Sequence, residues 1–190
     1  MIRKSFLQKI KKDLETYQKE RNQIIGSSRE ILQASKKAIF ALQAGKTKEA
    51  QLSLTKAEQG LKTLDRKYNK DNRLRFEGSY KAALEEYVEA KTFSLVLAGK
   101  NLADFKLANI GPEEYLGGLA DLTGELVRQA VLQATRGNQT EIARYRDVCQ
   151  EVVAFLLDLY LTGSLRQKFD DAKRNLKRLE QIIYDLSLRN

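Results

Sequence analysis

The chain has 190 residues, 31% of them charged and 8% aromatic, so it is polar yet apolar enough to pack one domain. Its formal net charge of +9, from 34 Lys+Arg against 25 Asp+Glu, favours an anionic partner: nucleic acid, with an anionic membrane surface as competitor and a solvated lysine-rich face as the plain alternative. The absence of histidine and the single cysteine, Cys149, exclude histidine acid–base chemistry, an intrachain disulfide and a Cys-based zinc site.

One proline and 11 glycines cannot supply the turns of an all-β fold, but a few long helices can live with them. In chain order, the apolar spacing of Leu7, Ile10, Leu14, Tyr17 and Ile24 predicts a first helix over about residues 5–25. Gly26-Ser27-Ser28 predicts an interruption, with Ser27 and Glu30 forming a capping box. A second helix then runs through Ile31, Leu32, Ala38, Ile39 and Leu42 and stops near Gly45. A third covers about residues 47–68, and Lys70-Asp71-Asn72 reads as a polar break. The fourth, about 74–98, is apolar on most of its circumference beyond Tyr80 and is therefore expected to be buried on more than one side. A loop is expected around residues 108–111. Pro112 then opens a fifth helix to about Thr135, with Glu113 and Glu114 at the positive end of its dipole. After Gly137-Asn138, a sixth helix is expected over about 141–161, ended by Gly163.

The last helix has the cleanest pattern. Leu165, Phe169, Ala172, Leu176, Leu179, Ile183 and Leu186 step alternately by four and three, a heptad seam for packing on a neighbour. Arg166, Lys168, Lys173, Arg174, Lys177 and Arg178 lie on its other faces and read as a solvated basic surface. The expectation is an all-α, antiparallel bundle of about six or seven long helices, one domain over residues 1–190, with Cys149 as a buried filler. No run of about 18 apolar residues exists and residues 1–9 lack a signal-type apolar block, so no membrane span and a cytoplasmic location are expected.

Two acidic pairs sit on separate predicted helices. Glu86 and Glu89 are three apart and share a face with Ala82, Ala83, Ala90, Phe93 and Leu97, while Glu85 has more polar surroundings. Asp121 and Glu125 are four apart and share a face with Gly117, Gly118 and Arg128. Gly117, Gly118 and Gly124 each cost roughly 1 kcal/mol against alanine in a helix, which points to close approach by another backbone or a ligand. Most carboxylates at such spacing are solvated or salt-bridged. Here, however, like charges repel without a local lysine, and a carboxylate in an apolar stripe needs a cation or loses its charge. If the fourth and fifth helices face each other, the four carboxylates form an all-oxygen site suited to Mg²⁺ or Mn²⁺, and metal-assisted phosphodiester hydrolysis is the chemistry that needs no histidine.

Glu86-Tyr87-Val88-Glu89-Ala90 resembles the EYVEA segment of the TRAX branch of the translin/TRAX family. The stretch from Glu114 to Leu126, with its Asp121-Leu122-Thr123-Gly124-Glu125-Leu126 core, resembles a TRAX segment closely. Leu165-Arg166-Gln167-Lys168-Phe169-Asp170 and the segment from Ile182 to Arg189 resemble the end of translin itself. The resemblance implies helical subunits assembled into a hollow octamer with nucleic acid inside. It also implies a Mg²⁺-dependent endoribonuclease acting on single-stranded RNA, with Glu86, Glu89 and Asp121 holding metal and activating water and Glu125 completing the set. Features of both branches in one chain imply a homo-oligomer. For RNA contacts, Arg75-Phe76 resembles a basic stretch of the family. Arg73, Arg75 and Lys81 precede the first acidic pair, and Arg128 lies one turn beyond Glu125; each is equally well an ordinary surface cation. Tyr80, Tyr87 and Tyr115 could stack bases but suit a core better. The alternatives are a non-catalytic binder of single-stranded RNA or DNA, and a helical scaffold.

Overall fold

The computed structural model describes residues 2–102 and 110–188, with the side chains of Asp71 and Asn72 left aside. Among these residues the chain is all-α, as the composition requires. The helices are α1 (Lys4–Gln43), α2 (Thr47–Tyr68), α3 (Gly78–Leu97), α4 (Pro112–Thr135), α5 (Gln139–Leu157) and α6 (Gly163–Ser187), with a 3₁₀ segment at Lys70–Phe76. Helix α1 packs on α2 and α3, α3 on α4, and α4 on both α5 and α6, which also pack on each other. Helices α3 and α4 therefore form the middle of the bundle.

Two tight connections turn the chain back on itself. At Gly45 (φ +73°) the amide of Lys46 reaches the carbonyl of Ala41 at 2.8 Å. At Gly137 (φ +72°) the amide of Asn138 reaches Gln133 at 3.1 Å. Both use a left-handed residue to satisfy helix-end carbonyls, the conformation that glycine adopts without strain. Asn138 then caps α5 by accepting from the amide of Glu141.

The first expected break does not occur. Helix α1 runs unbroken for 40 residues, about 60 Å, through Gly26-Ser27-Ser28, and Ser27 and Glu30 form no cap. The reason is tertiary. Ile24, Ser28, Ile31, Ser35, Ala38 and Leu42 form one buried seam with steps of four and three, and it continues straight across the glycine. Burial of that seam outweighs the roughly 1 kcal/mol cost of Gly26. Towards its N-terminus α1 carries the same periodicity, but Leu7, Ile10, Leu14 and Tyr17 are each about half exposed, with Tyr17 meeting Arg73 of the 3₁₀ segment.

Three other boundaries move. Leu74 belongs to the 3₁₀ segment, and α3 begins at Gly78. Helix α5 stops at Leu157, and Gly163 opens α6 instead of closing α5. Leu157 and Tyr160 are exposed, so nothing is gained by extending α5 over them. The loop expected around residues 108–111 lies partly outside the described residues. Along α6, Phe169, Ala172 and Leu179 of the seam are buried, with Leu165, Leu176, Ile183 and Leu186 partly so. Cys149 is fully buried, and burial pushes its thiol up to about 12, so it is packing material. No described helix is long and apolar enough to cross a membrane.

Candidate functional site

The acidic pairs meet because α3 and α4 lie side by side at very short range. A Cβ on Gly118 would sit 2.7 Å from the side chain of Val88 and 2.8 Å from the carbonyl oxygen of Glu85. One on Gly117 would fall 2.0 Å from a carboxylate oxygen of Glu85. These two glycines are the close approach that their helix-breaking character foretold. Gly124 is different: a Cβ there would meet Asn175 at an ordinary 3.6 Å, so packing does not demand glycine.

Around this contact the carboxylates of Glu85, Glu86 and Glu89 from α3 come within each other's field and within that of Asp121 and Glu125 from α4, and the proton affinity of the three α3 acids rises. Four of the five have a partner, each from a distant element except Arg128. Glu86 faces Lys36 of α1 at 3.9 Å. Glu125 accepts from Nε2 of Gln43 at the end of α1 and lies 3.8 Å from Arg128. Asp121 is held by Nζ of Lys168 on α6, which also lies 3.3 Å from Glu85.

Glu89 is the exception and makes no ion pair among the described residues. Burial, followed by the fields of Glu86, Asp121 and Glu125, pushes its carboxyl up to about 8. Glu85 and Glu86 shift upward for the same reasons, burial first, with Lys168 and Lys36 respectively opposing. Burial works against the charge of Lys168, but its bonds to Asp121 and Glu85 outweigh it and its affinity for protons rises. The cluster is thus short of positive charge, and the shortage falls on Glu89.

A hard divalent cation suits this donor set, which is all carboxylate oxygen around one uncompensated acid. The side chains as placed do not yet grip one: among the described residues no three acidic groups are gathered closely enough to hold a metal ion. Glu85 also lines a cleft of about 450 Å³ with Lys81, Glu113, Glu114 and the α6 start at Thr162, Gly163 and Ser164, so the cluster opens to solvent beside α6.

The four basic candidates separate. Arg73 is turned into the fold: it bonds to Glu20 and to the carbonyl of Tyr17 (3.1 Å), and its guanidinium lies 4.5 Å over the Tyr17 ring. Arg75 is exposed next to Phe76, which is 85% exposed. Lys81 pairs with Glu113 (3.0 Å) and Glu114 (3.6 Å) at the rim of the cleft. Arg128 is exposed beside Glu125. Tyr80 and Tyr87 are buried in the core, and Tyr115 is partly buried with its hydroxyl 3.4 Å from the carbonyl of Leu102. Sequence reasoning missed Glu85 and Lys168. The first looked solvated and the second was counted with the basic face of α6; Gly117, which makes room for Glu85, was the available signal.

A family model described as the Translin family matches residues 19–190, which contain every residue of this cluster. The chain belongs to the Translin family. It is 26% identical to chicken translin over 144 residues, 68% of this chain and 63% of that protein. It is also 26% identical to the translin-associated protein X homologue of Schizosaccharomyces pombe over 197 aligned positions, 93% of this chain and 84% of the relative. The translin-family chain spans less than two thirds of the length of chicken and bovine translin, 63% of each. Its fold is similar to a crystal structure of AfC3PO, with TM-score 0.89 and 25% identity over 97% of this chain and 98% of that one. It is equally similar to AfC3PO in complex with duplex RNA, with TM-score 0.87 and 25% identity over 97% of each chain. The two structural likenesses each take in 97% of this chain.

Proposed function

We propose that this translin-family chain is a metal-dependent endoribonuclease. In this reading Glu86, Glu89, Asp121 and Glu125 hold Mg²⁺ or Mn²⁺ and the substrate is single-stranded RNA. The observation that carries it is Glu89, a carboxyl that makes no ion pair among the described residues and stands in the field of three further acids, because such a group calls for a cation. Similarity to a translin-associated protein X homologue over 93% of the chain and to AfC3PO, whose structure is solved in complex with duplex RNA, supports RNA as the ligand.

A cation bound there would supply an acidic water and neutralise charge on a phosphoryl oxygen. The chain's own groups do the rest. Glu89, its carboxyl pushed up to about 8 by burial and by Glu86, Asp121 and Glu125, would hold the cation as a carboxylate. Asp121 and Glu125, one turn apart on α4, add their carboxylates to those of Glu86 and Glu89 on α3. Arg128 and Lys81, at the edges of the cluster and of the cleft, and Arg75 beside exposed Phe76 are placed to take phosphate and base. Arg73 contributes by fixing the 3₁₀ segment to α1 rather than by touching RNA. The half-exposed Leu7, Ile10, Leu14 and Tyr17 stripe on α1 supports a homo-oligomer, proposed as an octamer enclosing the RNA in the cytoplasm.

The test is digestion of labelled RNA, single-stranded and duplex, with Mg²⁺, with Mn²⁺ and with EDTA, paired with the sedimentation mass. Faster cleavage of the single strand, its loss in EDTA, and at least roughly 100-fold loss in Glu89→Ala and Asp121→Ala are expected. Full activity in both variants defeats the proposal.

A second reading has its own observation: every acid of the cluster but Glu89 is paired, with Lys36, Lys168 or Arg128, and among the described residues no three are gathered to hold a metal ion. It makes the chain a non-catalytic binder of single-stranded RNA or DNA. Salt-sensitive binding without turnover in any divalent cation would establish it.

A further inference from the structure

We propose that Lys168 is a resident counter-cation which a divalent ion has to displace, so that this one side chain on α6 sets the cation affinity of the α3–α4 cluster. The inference rests on the metal-site reading above and extends it to a residue outside the acidic set.

Among the described residues three cations touch the five acids, and they are not held alike. The side chains of Lys36 and Arg128 are 61% and 63% exposed and stand 3.9 Å and 3.8 Å from Glu86 and Glu125. Lys168 is 24% exposed, bonds directly to Asp121 and lies 3.3 Å from Glu85. It therefore ties a carboxylate of α3 to one of α4, across the contact that brings the two acidic pairs together. Its neighbour Phe169 is buried in the α6 seam, which anchors the backbone and aims the ammonium inward.

An ammonium bonded to Asp121 and a divalent ion on the same carboxylate exclude each other, both by occupancy and by like charge. The tether makes Lys168 a strong competitor, because it is always present at the site. Its four-carbon stem also makes it able to leave, since it can swing its head to solvent without moving α6. Removing the ammonium takes away a competitor and a repulsion together, and both changes favour the ion. The cost falls on the metal-free protein, where Asp121 and Glu85 lose their counter-charge.

The test is Mn²⁺ binding to the full chain in its native assembly, read by the disappearance of the free-ion electron paramagnetic resonance signal. Lys168→Met is expected to bind Mn²⁺ at least roughly tenfold more tightly than the wild type, and Lys168→Arg to stay near wild type. Metal-free Lys168→Met melts at a lower temperature than wild type and regains the difference in Mn²⁺. A second measurement needs no destabilised variant. In wild-type protein with ¹³C-methylated lysines, the resonance missing from Lys168→Arg should move to the free-lysine position as Mg²⁺ saturates. Equal or weaker Mn²⁺ binding by Lys168→Met, or an unmoved Lys168 resonance at saturation, overturns this inference and leaves the metal site standing. No Mn²⁺ uptake by either protein overturns both.

Discussion

On the outer face of α6, Arg166 pairs with Asp170, Lys173 with Asp170 and Arg174 with Asp171, each partner three or four residues away along the same helix. In the cleft between α3 and α4 the same kinds of side chain find partners much further along the chain: Lys36 for Glu86, Gln43 for Glu125, Lys168 for Asp121. The outer pairs are exposed and screened, and each contributes little. The inner groups are half-buried, so a missing partner there has consequences that a missing partner on the surface does not. Glu89 is where that shows: among the described residues it makes no ion pair, only the field of Lys168 opposes its neighbours, and its carboxyl is pushed up to about 8.

The largest expected effect breaks the inner set. Glu89→Gln or Asp121→Asn keeps shape and removes charge, and RNA cleavage is expected to fall roughly 100-fold or more; the metal-free protein melts at the same or a higher temperature in Glu89→Gln, and at a lower one in Asp121→Asn, where Lys168 loses its partner. Next comes the contact that creates the cleft. Propensity alone makes Gly118→Ala stabilising by about 1 kcal/mol, yet its Cβ would meet Val88 and the Glu85 backbone below 3 Å. A net loss of about 1–3 kcal/mol in urea unfolding is expected. Gly124→Ala, with room at 3.6 Å, should instead gain a few tenths to about 1 kcal/mol.

The third effect is on pH. The Glu89 carboxyl binds its proton more tightly in the folded chain than in the unfolded one. Its protonated form therefore favours folding, fully so below the ordinary carboxyl range, and that contribution is lost as pH rises towards about 8. In EDTA, the melting temperature of Glu89→Gln relative to wild type should climb from pH 5 to about pH 8 and then level off; a flat difference would mean that the group is solvated. The smallest effect belongs to the outer face. Arg174→Ala should change unfolding free energy by less than about 0.5 kcal/mol and leave cleavage unchanged.

Helix class, most helix limits and the buried stripe of α6 follow from residue type and spacing. They depend on periods of three and four residues, which any single segment displays on its own. Gly117 and Gly118 likewise announced a close approach before its partner was known. The path through Gly26 was not legible, because propensity competes there with burial of Ile24, Ser28 and Ile31, and burial is a property of the packed bundle. The roles of Glu85, Lys168 and Lys36 were hidden for the same reason.

What the chain alone determined is therefore an α-helical, basic molecule without histidine that carries four carboxylates in two helical pairs. Which carboxylates face one another, which cation each one meets, and which of them is left without a partner were decided only by packing α3 against α4 beneath α1 and α6. The physical reason is range. Helical periodicity is fixed by bonds within one turn, whereas the charge a carboxyl can carry is fixed by everything that surrounds it after folding.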